Sequence, residues 1–356
     1  MLKYYRQFAL FRSLLFLLLL SLAASAPAQK SKKSKSRGQM APPGPSIMWE
    51  DVNIGGRDLF LGPGGREMMP DLSRIKFIKK ETGGANTKYR IEDGSGRIWV
   101  AKLGREARPE TAAVRMLWGL GYKTEVNYLV PVITIPGKGT FRNVRLEARP
   151  KNVDREGEWK WTRNPFLGTP QFQGLKIMQI FMTNWDVLDK QNEILKVDGP
   201  GGTEYHYVVS DLGRTFGKYG NNNFPIIYRL GRRTGAPEPY SKASFIKGYE
   251  KGRIKWGIKG KNRGIYRDIT IDDARWLLAR LRQLSDVQIR DAFRAANYSP
   301  AEVNIYLNAV RRRIDELQQL TSDRYAFNWP SEAENAEASS FAAPVTFAEG
   351  PEPAYR

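Results

Sequence analysis

Between Thr183 and Gly217 the chain carries oxygen-bearing side chains at a spacing that could do chemistry. The first group runs Asn184-Trp185-Asp186-Val187-Leu188-Asp189-Lys190-Gln191-Asn192, and the second is Ser210-Asp211-Leu212-Gly213, directly after Val208-Val209. A short apolar segment, a Gly-rich turn and Tyr205–Val209 lie between them and read as a hairpin. Hard oxygen donors on two loops, joined by one rigid hairpin, suit a divalent metal that is also bound to phosphates. The structural alternative is two polar turns bracketing an ordinary strand pair.

Those loops need a partner surface, and the upstream chain supplies one. Ile75–Lys80 alternates apolar and basic residues, Lys88–Asp93 is a second strand, and Arg97–Leu103 is a third. The first turn, Glu81-Thr82-Gly83-Gly84-Ala85-Asn86-Thr87, is small and Gly-rich, so its backbone N–H groups could approach a phosphate. Alternation places Lys102 on the face of Ile98 and Val100. A lysine there either snorkels at an edge or is a buried cation that needs an anion. Pro109 starts a helix over Glu110–Leu120, and Glu110 in its first turn could hold Lys102, with Glu106 as the competing partner. Val126–Ile135 and Arg142–Ala148 add two strands. Pro150–Pro170, polar with Trp159 and Trp161, reads as a connector, and Pro170–Thr183 as a helix with one buried stripe.

In this order and spacing, Ile75 to Gly217 resembles the protein-kinase-like superfamily, in its atypical branches: HipA-like, phosphoinositide-kinase-like and secretory-pathway-kinase-like. Gly83-Gly84-Ala85-Asn86 looks like the phosphate loop, Val100-Ala101-Lys102 the third-strand lysine, Glu110 its helix partner. Asn184–Asn192 looks like the catalytic loop and Asp211-Leu212-Gly213 the metal turn. The resemblance implies an α+β, bilobal fold: a small antiparallel β lobe with one helix, then a larger, mainly helical C-terminal lobe. It implies ATP or another nucleotide and Mg²⁺ or Mn²⁺ as cofactors, with Gly83, Gly84, Asn86, Lys102 and Glu110 around the nucleotide. Asp186 would be the catalytic carboxylate, and Asn192 and Asp211 the metal ligands. The step from Asp186 to Asn192 is six residues where kinase loops take five, so Asp189 stays open as sharing or replacing a role. There is no His-Arg-Asp and no Gly-x-Gly-x-x-Gly.

Residues 1–26 read as a secretory signal: basic Lys3, Arg6 and Arg12, an apolar run Ser13–Ala24 too short to span comfortably, and Ala24-Ser25-Ala26 for cleavage. Export to a periplasm or the exterior, with no membrane anchor after cleavage, is expected, and ATP is scarce in a periplasm. Residues 27–47 read as a basic Pro/Ser/Lys-rich linker, 48–150 as the N-lobe, 151–321 as the C-lobe, and 322–356 as a disordered acidic tail. The chain of 356 residues carries a formal net charge of +20, which favours anionic partners. It has no cysteine, which excludes disulfides and thiol chemistry, and a single histidine, His206 in a strand, which argues against a Ser-His-Asp triad.

Three helices close the sequence, capped by Thr270 or Asp272, Ser285 and Ser299. Arg311-Arg312-Arg313 reads as suiting a helix C-terminus without a ligand. Phe245–Arg263 interleaves bases with aromatics. A twisted, solvated hairpin is the preferred reading there over a grip on single-stranded nucleic acid or a sugar polymer. The leading expectation is an exported kinase-like protein acting on a protein, lipid or glycan hydroxyl. The alternative is an inactive kinase-like scaffold for an anionic envelope polymer or partner protein.

Overall fold

The computed structural model describes residues 44–83, 86–219 and 233–322. The expected signal, most of the linker, Gly84 and the tail beyond Ser322 lie outside the described residues.

Strands β1 (Ser46–Ile47), β2 (Lys76–Glu81), β3 (Lys88–Glu92) and β4 (Ile98–Lys102) come first, then helix α1 (Ala107–Gly119) and strands β5 (Asn127–Ile135) and β6 (Gly139–Ala148). Strands β2 to β6 make one antiparallel sheet in the order β2-β3-β4-β6-β5. Alternation divides it as expected. Trp99 and Ala101 enter a core with Ile91, Tyr128, Val130, Ile133, Val144 and Leu146. Val100 and Lys102 take the other face, opposite Glu147 and Arg145 in register. The turn between β3 and β4 is fixed by Asp93, whose Oδ1 accepts from the backbone N–H groups of Ser95 and Arg97 at 3.0 Å each.

The stretch expected to be a plain connector instead contributes strand β7 (Val153–Gly157). It pairs with β8 (Asn192–Gly199), which pairs with β9 (Gly202–Val209), and β1 adds in parallel to β9. Trp159 and Trp161 behind it are core residues, and the Trp159 indole N–H donates to the Val208 carbonyl at 2.9 Å. Aromatic bulk explains why these two side chains are buried in a stretch that is otherwise largely exposed.

Helix α2 (Pro170–Phe181) starts at a Thr169 cap with Pro170 in its first turn. A short helix α3 (Pro237–Ser241) and a hairpin of β10 (Ile246–Glu250) and β11 (Arg253–Trp256) follow, then α4 (Ile271–Leu281), α5 (Asp286–Arg294) and α6 (Pro300–Thr321). The last three each open on a capping box: Thr270 with Asp273, Ser285 with Gln288, Ser299 with Glu302. These helices pack with α2 into a second, larger core. Because α6 continues to Thr321, Arg311–Arg313 sit mid-helix rather than at its end. Arg313 is buried, donates to the carbonyls of Phe181 (2.5 Å) and Ala243 (2.9 Å), and lies 4.2 Å from the Tyr240 ring centre. The architecture is therefore α+β, a small antiparallel sheet with one helix followed by a mainly helical part. Among the described residues no helix is long and apolar enough to cross a membrane.

Candidate functional site

Lys102 is the last residue of β4, and only 3% of its side chain is exposed. Gly104, at φ +95°, turns the chain so that α1 returns with its carboxylates toward the strand it just left. The ammonium of Lys102 lies 2.8 Å from Glu110 Oε2 and 3.5 Å from Glu106 Oε2. Both candidate partners therefore engage it, Glu110 more closely. Glu110 presents its other oxygen to the Arg145 guanidinium at 3.0 Å, and Arg145 pairs in turn with Glu147.

The third contact comes from 109 residues further along the chain. Asp211 follows β9, and its Oδ1 lies 3.3 Å from Lys102 Nζ. The same oxygen accepts from the Gly213 N–H at 3.2 Å, which closes the turn. A side chain at 213 would press on Glu106, its Cβ 2.8 Å from the Glu106 Cβ, so glycine is what allows this turn to approach α1. Burial lowers the pKa of Lys102, but Glu110 and Asp211 outweigh it and hold the ammonium above its ordinary pKa. Burial also works against the Asp211 carboxylate, and Lys102 with the Gly213 amide reverses this, leaving it below the usual range. Burial raises the pKa of Glu110, opposed by Arg145 and Lys102. Asp211 differs from the other members in being 41% exposed, toward a cleft of about 330 Å³ that Gly83, Lys102 and Glu110 also line.

Gly83 borders this cleft at φ +112°, with open space where a Cβ would project. Gly84 lies outside the described residues. Asn86, expected beside the nucleotide, does not line the cleft; its amide donates to Glu106 Oε2 and so braces the carboxylate beside Lys102.

In the catalytic-loop-like segment, Asp186 accepts from Gln191 Nε2 at 3.0 Å on one oxygen, and Lys261 Nζ lies 2.8 Å from the other. Asn184 Oδ1 accepts from the Asp186 N–H at 3.1 Å and fixes the bend. Asp189 is elsewhere: its Oδ1 accepts from the Trp161 backbone N–H at 3.0 Å, tying down the segment before α2. Asn192 does not join Asp211 either. It is buried on the strand face opposite Glu193, which lines the cleft, and its amide donates to the Trp159 carbonyl at 3.0 Å.

Gln191, one residue earlier, is the side chain that reaches Asp186, and its backbone carbonyl accepts from the N–H groups of Ser210 (2.8 Å) and Asp211 (3.3 Å). It restores the five-residue step that Asn192 overshoots. The reason is local: Asp189–Gln191 form a short 3₁₀ turn before the strand begins at Asn192. Gln191 Oε1 is buried without a hydrogen-bond partner.

Lys261 was not legible in the sequence as a site residue. Its backbone N–H donates to the Trp185 carbonyl at 3.0 Å, and a side chain at Gly260 would collide with the Trp185 backbone. Glycine at 260, at φ +137°, is what lets the segment after β11 lie against the Asp186 loop. That glycine was the one available signal. Among the described residues no group of three or more His, Asp or Glu could cage a metal by itself. Asp211 offers the cleft one carboxylate, a donor that suits Mg²⁺ or Mn²⁺ when phosphate oxygens supply the rest, while Gln191 does not line the cleft.

The sequence matches no protein-family model and no curated protein. Similar solved structures include the Helicobacter pylori proinflammatory kinase CtkA, at 12% identity and TM-score 0.43, covering 70% of this chain and 97% of that one. They also include the Golgi casein kinase with Mn/ADP bound, at 9% identity and TM-score 0.36, covering 71% of this chain and 73% of that one. A second structure of the Golgi casein kinase has 10% identity and TM-score 0.37, with 76% of each chain covered.

Proposed function

We propose that the cleft binds a nucleotide such as ATP with Mg²⁺ or Mn²⁺, and that the chain transfers the terminal phosphoryl group to a hydroxyl of a protein, lipid or glycan. The observation that carries this reading is the ammonium of Lys102, held between Glu110 at 2.8 Å and the cleft-facing Asp211 at 3.3 Å. A buried cation oriented beside an exposed carboxylate is a prepared seat for phosphate oxygens and the metal that accompanies them.

In this reading Lys102 holds the inner phosphates, with Glu110, Glu106 and Asn86 keeping it in place. Asp211 would hold the metal, which when bound neutralises charge on the phosphates. Asp186 orients the acceptor hydroxyl and takes its proton. The acceptor oxygen forms the new P–O bond as the bond to the leaving phosphate breaks, and the electron pair stays on that leaving group. Lys261 compensates charge beside Asp186. Export through the signal at residues 1–26 belongs to the same proposal.

A second reading, a kinase-like scaffold without turnover, is favoured by one observation: both oxygens of Asp186 are already engaged, by Lys261 and Gln191. Thermal melting of the mature chain with ATP and Mg²⁺ or Mn²⁺, combined with an assay of phosphate release, separates the two. Stabilisation with turnover supports transfer, and stabilisation without turnover supports the scaffold. No stabilisation at about 1 mM ligand rejects both as nucleotide binders. Asp211→Ala is expected to remove the metal-dependent part of the shift.

A further inference from the structure

The wall of the cleft away from Gly83 is charged. Among the described residues lining it, Val100 is the one hydrophobic side chain. Below it Glu193 pairs with Arg155 at 3.0 Å, and Arg155 also reaches Glu147 at 2.9 Å. Arg149 pairs with Glu147 on the same wall. Sites that bury a flat ring are lined mainly by apolar and aromatic groups. A ring laid on these ion pairs would strip water from charges and return no matching contact.

The nearby backbone amides are already used. The N–H groups of Ala148 and Arg149, where β6 leaves the sheet, donate to the carbonyls of Val126 and Ile98, each at 2.9 Å. Pro150 follows and has no N–H to give. No amide at these three positions is free to read the edge of a base. The other end of the cleft is different. Lys88 lies opposite Lys102 in register, and both line the cavity with Arg90.

Resting on the phosphoryl-transfer reading above, we infer that the cleft recognises its ligand through the polyphosphate chain and its metal and is blind to the base. ATP, GTP, CTP and inorganic tripolyphosphate then belong to one ligand class. The base lies outside the seat and adds little.

Calorimetric titration of the mature full-length chain with Mn²⁺ and each of these four ligands tests this. Dissociation constants within about threefold of one another are expected. ATP binding more than about tenfold tighter than GTP and tripolyphosphate overturns the inference. So does binding of the nucleotides without tripolyphosphate, which would place recognition in the sugar. Failure of all four to bind instead removes the phosphoryl-transfer reading, and this inference falls with it. Glu193→Leu replaces the charged floor with an apolar one and leaves Arg155 its partners Glu125 and Glu147. With its fold checked by melting, this variant is expected to gain a preference for ATP over tripolyphosphate of at least about threefold. An unchanged profile in this variant counts against the charged floor as the cause.

Discussion

Lys102 and Lys261 both sit on carboxylates, yet their surroundings differ sharply. Lys102 is 3% exposed and meets Glu110, Asp211 and Glu106, while Lys261 is 52% exposed and meets Asp186. A desolvated ion must be paired well, because removing one partner leaves an uncompensated charge that costs about 3–5 kcal/mol. An exposed pair is screened by water and is worth about 0–1 kcal/mol. On the proposed reading, the inner cluster would keep its geometry with or without ligand, and the outer pair would open cheaply for a substrate at Asp186. One end would be preorganised and the other exchangeable.

This contrast can be broken most sharply at the outer end. Asp186→Ala is expected to lower turnover about 10²–10⁴-fold, the usual range for loss of a proton-transfer group. Its metal-nucleotide affinity should stay near that of the unaltered chain. Phosphate release and calorimetry on the same preparation check this, and equal loss of binding and turnover would erase the proposed division.

The two ends should also differ in stability. Arg145→Met removes a cation from between Glu110 and Glu147 and is expected to cost about 3 kcal/mol in urea unfolding. Lys261→Met should cost less than about 1 kcal/mol. If the two variants unfolded at the same midpoint, the distinction between a fixed and an exchangeable end would fail.

A smaller effect concerns pH. Glu125 is buried beside Glu147, and burial, then that neighbouring charge, pushes its carboxyl up to about 7 from 4.5, with Arg155, Arg149 and Arg145 opposing. A carboxyl that binds its proton more tightly when folded stabilises the fold below its unfolded pKa. That contribution is lost as pH rises from about 4.5 through about 7. Glu125→Gln is expected to flatten the fall in urea midpoint across this window. A slope unchanged by the substitution would show that Glu125 does not titrate there.

Much of the sheet was legible because its signals are local. Alternation put Val100 and Lys102 on one face, and Gly94-Ser95-Gly96, between the two expected strands, marked the turn. The helices after Thr270 announced their starts with caps that act within three residues. The Lys102, Glu110 and Asp211 grouping could be named from order along the chain, while its distances could not. Asn192 was misplaced because a 3₁₀ turn shifts the phase by one residue, and nothing in the residue types marks that turn. Trp159 and Trp161 looked like parts of a connector because their neighbours are polar, although Trp159 is buried against Tyr207 and Val208 far along the chain and Trp161 against Trp159 and Phe172.

Sequence alone determined the alternation of strands, the helix starts, the charge balance and the absence of thiol chemistry, since each depends on residue type over a short span. Tertiary structure decided which charges meet. It brought Lys261 and Gln191 to Asp186, drew Arg313 into the core, and paired Glu193 with Arg155 on the wall of the cleft. These pairings join segments tens of residues apart, and such contacts are selected by packing and desolvation of the whole chain, which local patterns do not encode.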